Sequence, residues 1–190
     1  MYLRSPGCLA LPIALATPAT AAGKSVYTSI AEKDCRMEKP GKRDDPNHDP
    51  TAFCRGHGGV EVIVYTFHAA VGLAFRWPKG APVTVVTIGA HFGDKIEWRG
   101  PASGAFTPQA AIARVIFEDA ETRRKHQALA VIRLQAGKAC IMSAVDMTAN
   151  RSPYEIAQRI ADEKAASFVC GKSEVSAGGE PTQWTTHLLE

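Results

Sequence analysis

The sequence predicts an α+β fold, a mainly antiparallel sheet of about six or seven strands with one C-terminal helix packed on it. Three observations predict it. Short runs with period-two alternation recur between residues 59 and 145, the pattern of strands that bury at least one face. Turn residues punctuate them, as in Trp77-Pro78-Lys79-Gly80 and Gln135-Ala136-Gly137. A helix-start signature followed by helical spacing occurs late, from Ser152 towards Phe168.

In chain order, residues 26–30 form a short strand candidate, and 38–50 are too rich in Lys, Asp, Pro and Asn to pack a core. Val60, Val62 and Val64 then alternate with Glu61, Ile63, Tyr65 and Phe67. Both sets are mostly apolar, which predicts a central strand covered on two sides. Residues 69–76 supply its partner and 82–88 a further strand. In Lys95-Ile96-Glu97-Trp98-Arg99 strict alternation places Ile96 and Trp98 on one face. Residues 100–108 read as a loop. Residues 111–118 suit helix or strand, and strand is the preferred reading. Residues 127–134 and 138–145 flank Gln135-Ala136-Gly137 as a hairpin. Ser152-Pro153-Tyr154-Glu155 predicts a capping box, with Pro at the first helical position. Ile156, Ile160 and Ala161 give that helix one apolar face.

The N-terminus has the order of an export leader. Arg4 precedes an apolar run over 8–16, and Thr17-Pro18-Ala19-Thr20-Ala21-Ala22 follows. Cleavage is expected after Ala21 or after Ala22. The run is too short to span a bilayer and no longer one follows, so no membrane span is expected after cleavage. Cys8 stands at the start of the apolar run and does not follow it, which argues against lipidation. The expected organisation is a signal peptide over 1–22, one disulfide-bonded domain over 23–171 and a loosely ordered tail over 172–190. The expected location is periplasmic or secreted.

Loss of the leader leaves Cys35, Cys54, Cys140 and Cys170. An even count in an exported chain predicts two disulfides. Three connectivities remain open. Pairing of neighbours, Cys35 with Cys54 and Cys140 with Cys170, closes the shortest loops and is preferred; each bridge would contribute roughly 3 kcal/mol. No C-x2-C or C-x4-C pair supports zinc.

Composition excludes some functions. The leader removes only Arg4 from 22 basic residues against 19 acidic ones, leaving a formal charge near +2. A nucleic-acid binder normally presents a strongly basic face, so nucleic acid is not an expected partner. Arg123-Arg124-Lys125-His126 directly follows Glu118-Asp119-Ala120-Glu121, and this charge pair reads as a solvated hairpin tip.

Catalytic signatures are missing or fail in detail. Gly100-Pro101-Ala102-Ser103-Gly104 has the wrong spacing for a nucleophile elbow. H-E-x-x-H, G-x-x-x-x-G-K-[ST] and G-x-G-x-x-G are absent, and no cofactor is expected. Asp45, Asn47 and Asp49 match the first EF-hand ligands, but Pro50 and Gly56 stand where that loop needs Gly and Glu. His48 and His57 flank Cys54 and could meet Asp49 to hold a metal, though without helical i, i+4 pairing. Trp98 and Trp184 are the candidate binding surface, because an exposed indole offers apolar area with a polar edge.

Several segments together resemble a group of small, uncharacterised exported (periplasmic) proteins of alphaproteobacteria with a four-cysteine framework. They are Cys35, Cys54-Arg55-Gly56-His57-Gly58-Gly59, Lys95-Ile96-Glu97-Trp98-Arg99, Cys140 ahead of Val145-Asp146, Ala161-Asp162 and Phe168-Val169-Cys170. The resemblance implies export and the cysteine framework and carries no activity.

Two functional expectations follow. The first is a non-catalytic periplasmic module that binds another protein or a cell-envelope component. The alternative is a small metal-dependent hydrolase built from His48, His57, Asp45 and Asp49.

Overall fold

The computed structural model describes residues 22–38, 51–67, 70–88 and 90–190. All of the expected leader except Ala22 therefore lies outside the described residues, as do Asp45, Asn47, His48 and Asp49. In chain order the strands are β1 (Lys24–Ser29), β2 (Arg36–Met37), β3 (Thr51–Arg55), β4 (Glu61–Phe67), β5 (Ala70–Arg76), β6 (Val83–Ile88) and β7 (Ala90–Gly100). There follow β8 (Ala110–Glu118), β9 (Lys125–Gln135), β10 (Lys138–Asp146), helix α1 (Pro153–Lys164), β11 (Ser176–Ala177) and helix α2 (Gln183–Leu189).

The strands form two sheets, where the sequence reading expected one. One runs β1-β7-β8-β9-β10-β11 and the other β2-β3-β4-β5-β6. Pairing is antiparallel except between β10 and β11. Alternation told which residues are apolar but not which partner each strand takes, and two stacked sheets bury the same pattern as one sheet under a helix. Trp98, Ile96 and Ile132 from the first sheet share a core with Cys54, Leu73 and Phe75 from the second. Trp98 meets Phe75 edge to face at 5.8 Å between centroids. Small residues make room for these rings: Ala111, Ala113, Ala128 and Ala130 all point into this layer.

The two-sided apolar pattern of β4 has a local cause. Val62 faces the inter-sheet core, while Ile63, 5% exposed, lies on the other face beside Phe53 and Ala74. Arg36 and Arg76 lay their guanidinium groups over the Phe53 ring at 4.4 and 5.4 Å. Side chains of this sheet thus shelter its outer face. Tyr65 pairs with Gly72 across β4 and β5, and a Cβ at position 72 would come within 2.1 Å of the Tyr65 ring. Glycine is required there by that close approach.

Helix α1 packs on the opposite face of the six-stranded sheet. Ala157, Ile160, Ala161 and Ala165 meet Ile112, Leu129, Val131, Met142 and Val145 in a second core cluster. Ser152 is its N-cap and Pro153 its first residue, but the Ser152 side chain makes no capping hydrogen bond. The expected capping box is therefore not formed.

The tail is not loosely ordered. Ser143 Oγ donates to the Ser176 carbonyl at 2.6 Å and the Gly178 N–H to Ala144 at 2.8 Å, fixing β11 beside β10. A capping box does occur here: Thr182 and Thr185 exchange side-chain and backbone hydrogen bonds at the start of α2. Leu188 is buried in the inter-sheet core, with Trp184 packed beside it. Seven residues are too few for a helix stable on its own, and two Thr, one Trp and one His among them weaken it further, so tertiary burial and the cap hold α2 rather than local preference.

Both disulfides join sequence neighbours. Cys35 bonds Cys54, and Cys140 bonds Cys170. The second ties β10 to the segment that follows α1. Among the described residues, no helix is long and apolar enough to cross a membrane.

Candidate functional site

The alternation of β7 sends Ile96 and Trp98 into the inter-sheet core and turns Lys95, Glu97 and Arg99 towards α1. Two of those three are enclosed there: Glu97 is 4% exposed and Arg99 6%. Burying charge requires partners, and α1 supplies them. Asp162 accepts from Arg99 Nε at 3.0 Å and from Nη2 at 2.5 Å, a two-pronged ion pair. Ser25 on β1 accepts from Arg99 Nη1 at 2.5 Å and donates to Glu97 Oε1 at 2.5 Å. Gln158, one helical turn before Asp162, donates to the same Glu97 oxygen at 2.7 Å. The main-chain N–H of Gly23 completes the ring on Asp162 Oδ2 at 2.8 Å.

The network thus joins β1, β7 and α1. Glu97 Oε2, buried, has no hydrogen-bond partner. One guanidinium faces two carboxylates, Asp162 at 2.5 Å and Glu97 at 3.6 Å.

Glu97 also reaches the edge of a groove. Tyr27 lies directly opposite Glu97 across the β1–β7 pair. Together with Lys95, Ile112, Arg114 and Tyr154 they line a cavity of about 220 Å³. An adjoining hollow of about 230 Å³ shares Lys95, Arg114 and Tyr154 and continues to Asp94. Tyr27 is 56% exposed and Tyr154 42%. Tyr154 stands in the first turn of α1 because Pro153 starts the helix at the rim of the sheet. Among the described residues, neither Lys95 nor Arg114 takes part in an ion pair. The groove therefore offers two aromatic faces and two cations outside any ion pair, beside the acids Glu97 and Asp94.

Trp98, expected at a binding surface, is fully buried. The alternation that placed it beside Ile96 also placed it beneath the second sheet, and its indole N–H is already bonded. Trp184 is half-buried: its ring stacks on His126 at 4.3 Å and tilts against Phe117 at 5.3 Å. His57 packs edge-on against Phe106 at 4.8 Å. The residues proposed to join it in a metal site, Asp45, His48 and Asp49, lie outside the described residues. Among the described residues, no three His, Cys, Asp or Glu side chains are grouped to hold a metal ion. The hairpin tip carries its acid and base as a local pair, Arg123 with Glu118 at 2.7 Å, at the surface.

Sequence reasoning passed over Tyr27, Tyr154, Glu97, Arg99 and Asp162. Alternation marked Glu97 and Arg99 as the polar face of a strand, which is ordinarily a solvated face. A signal existed in the apolar residues Ile112 and Leu129 on the same side of neighbouring strands, which implied a cover over that face.

Comparison with known protein families, with curated proteins and with solved structures finds no match.

Proposed function

We propose that this chain is an exported periplasmic binding module without catalysis of its own, and that it holds an acidic segment of a partner protein in the Tyr27–Tyr154 groove. The observation that carries the reading is the grouping of two exposed tyrosines with two cations outside any ion pair, Lys95 and Arg114, around one depression. Tyrosine and arginine are enriched where proteins meet, because each brings large contact area with a polar end. The cations favour carboxylates on the partner and would steer its approach. Beside the groove, β1 forms an edge of the six-stranded sheet, so a partner segment has backbone groups as well as side chains to meet. Export is supported by the leader pattern and by the two disulfides, which persist in oxidising compartments.

The test is crosslinking in living cells from a photoreactive residue placed at Tyr27, compared with the Lys95→Glu/Arg114→Glu double variant. A discrete adduct that disappears on charge reversal, while the variant stays folded, supports the reading. A protein that is monomeric and without adducts in its own periplasm, or adducts indifferent to charge reversal, would overturn it.

A further inference from the structure

Within the buried cluster behind the groove one guanidinium serves two carboxylates, and Lys95 and Arg114, which line the groove with Glu97, pair with neither. Arg99 is shared between Asp162 and the Ser25–Glu97 pair, and Glu97 Oε2 has no partner at all. The groups around Asp162 bring no surplus of base. On α1 they are Glu155, Arg159 and Glu163, two acids to one base, and on the strand side Gly100, Pro101, Ala102 and Gln109 bring no charge. What does reach Asp162 is the nitrogen of Gly23, at 2.8 Å. The fit is close: a Cβ at position 23 would lie 2.3 Å from Asp162 Oδ1 and 3.0 Å from the Gly100 carbonyl oxygen. A side chain at this position would have to displace the carboxylate from the nitrogen. Gly23 directly follows the run of small residues that ends in Ala21-Ala22.

We propose that leader removal falls between Ala22 and Gly23, and that the ammonium so freed joins Arg99 as a second cation on the Asp162 carboxylate. A leader peptidase adds water across the Ala22–Gly23 amide. The C–N bond breaks, the hydroxyl goes to the Ala22 carbonyl carbon, and hydrogen goes to the Gly23 nitrogen, which takes a further proton from solvent at neutral pH. A neutral N–H donor becomes a charged one without moving, and charge-assisted hydrogen bonds are roughly twice as strong as neutral ones. Processing therefore tightens the junction of β1, β7 and α1. The inference rests on the export part of the proposed function and is independent of what the groove binds.

The sign of its pH dependence turns on which neighbour prevails. Asp162 favours the charged amine, while Arg99 on the same carboxylate oxygen and burial oppose it. The inference requires the carboxylate to prevail, which places the folded-state pKa above the unfolded value of about 7.7–8.0. The contribution is then fully present below that value and is lost as pH rises through the folded pKa.

The experiment has two parts. First, the intact mass of protein recovered from its own periplasm gives the N-terminus. A chain beginning at Gly23 is expected. One beginning at Ala22 overturns the proposal while leaving export intact, and an uncut chain overturns both. Second, the mature protein is compared with the same chain acetylated at Gly23, by denaturant unfolding. At pH 6.5 the free amine is expected to raise the folding equilibrium constant about five- to tenfold, an advantage that disappears near pH 10 and in Asp162→Asn. Equal stability of free and acetylated chains at pH 6.5 overturns the proposal even if the Asp162 variant does not fold.

Discussion

The indole nitrogen of Trp98 donates to the hydroxyl of Thr28 at 2.8 Å, from near the end of β7 to the sheet-edge strand β1. This bond holds the edge strand against the core through the largest fully buried side chain among the described residues. Thr28→Val keeps the shape and removes the acceptor, leaving the indole N–H unsatisfied. A loss of roughly 1–3 kcal/mol is expected. Urea unfolding of the variant against the parent checks it, and an unchanged midpoint would mean that water takes the place of the hydroxyl.

Asp146 ends β10 and anchors the tail. It accepts the N–H groups of Thr148 and Ala149 at 2.7 and 2.8 Å and the Thr182 hydroxyl at 2.7 Å. Burial, the largest single influence, pushes its pKa up. The hydrogen bonds from Ala149, Thr182 and Thr148, with the nearby His126 charge, outweigh burial and leave the carboxyl below its ordinary value. A depressed folded pKa gives stability that is present above the unfolded value of about 3.9 and is lost as pH falls through the folded one. The denaturation midpoint should therefore drop below about pH 4 in the parent and change less in Asp146→Asn. Parallel curves for the two proteins would sink the assignment.

The two disulfides should open in order. In the first bridge Cys54 is fully buried and Cys35 partly exposed, whereas Cys140 and Cys170 are both partly exposed, so the second bridge offers two approachable residues against one. Thiol attack needs access to sulfur. Mild reduction followed by alkylation and peptide mapping should label Cys140 and Cys170 first. Removing that bridge with Cys140→Ser/Cys170→Ser is expected to cost roughly 2–5 kcal/mol. First labelling at Cys35 and Cys54 would contradict the burial argument.

Helix α2 is part of the core despite its position at the end of the chain. Thr185 is fully buried and Leu188 is 4% exposed. Leu188→Ala is expected to cost about 2–5 kcal/mol, the usual range for a core leucine. A chain truncated before Thr182 should bind a hydrophobic dye that the parent does not. If truncation leaves dye binding and unfolding midpoint unchanged, α2 is dispensable and its packing contributes little.

Much of this fold was legible because period-two alternation is a local property. The hairpin of β9 and β10, the turn at Trp77-Pro78-Lys79-Gly80 and the strand character of β8 could all be read from neighbouring residues. So could both disulfides, since each joins sequence neighbours. The division into two sheets was not legible, because β1 pairs with β7 across the whole intervening second sheet. The network of Glu97, Arg99 and Asp162 was hidden for the same reason: its acid and base are brought together only when α1 lies down on β7. Trp98 misled because a tryptophan in an alternating strand marks a face, and the sequence did not say what covers that face.

The return of β1 to β7 has a consequence in time. Strands β7 to β10 join through successive hairpins, whose short loops close quickly. Lys24 must instead find Gly100, and Ser29 must find Lys95, with all of the five-stranded sheet lying between them in the chain. Non-local pairings of this kind form late. Pulse-labelled hydrogen exchange during refolding should protect the β8 and β9 amides before those of β1. The strand closest to the leader is then the last to settle, so an arriving chain can build most of its core while its first residues are still held elsewhere.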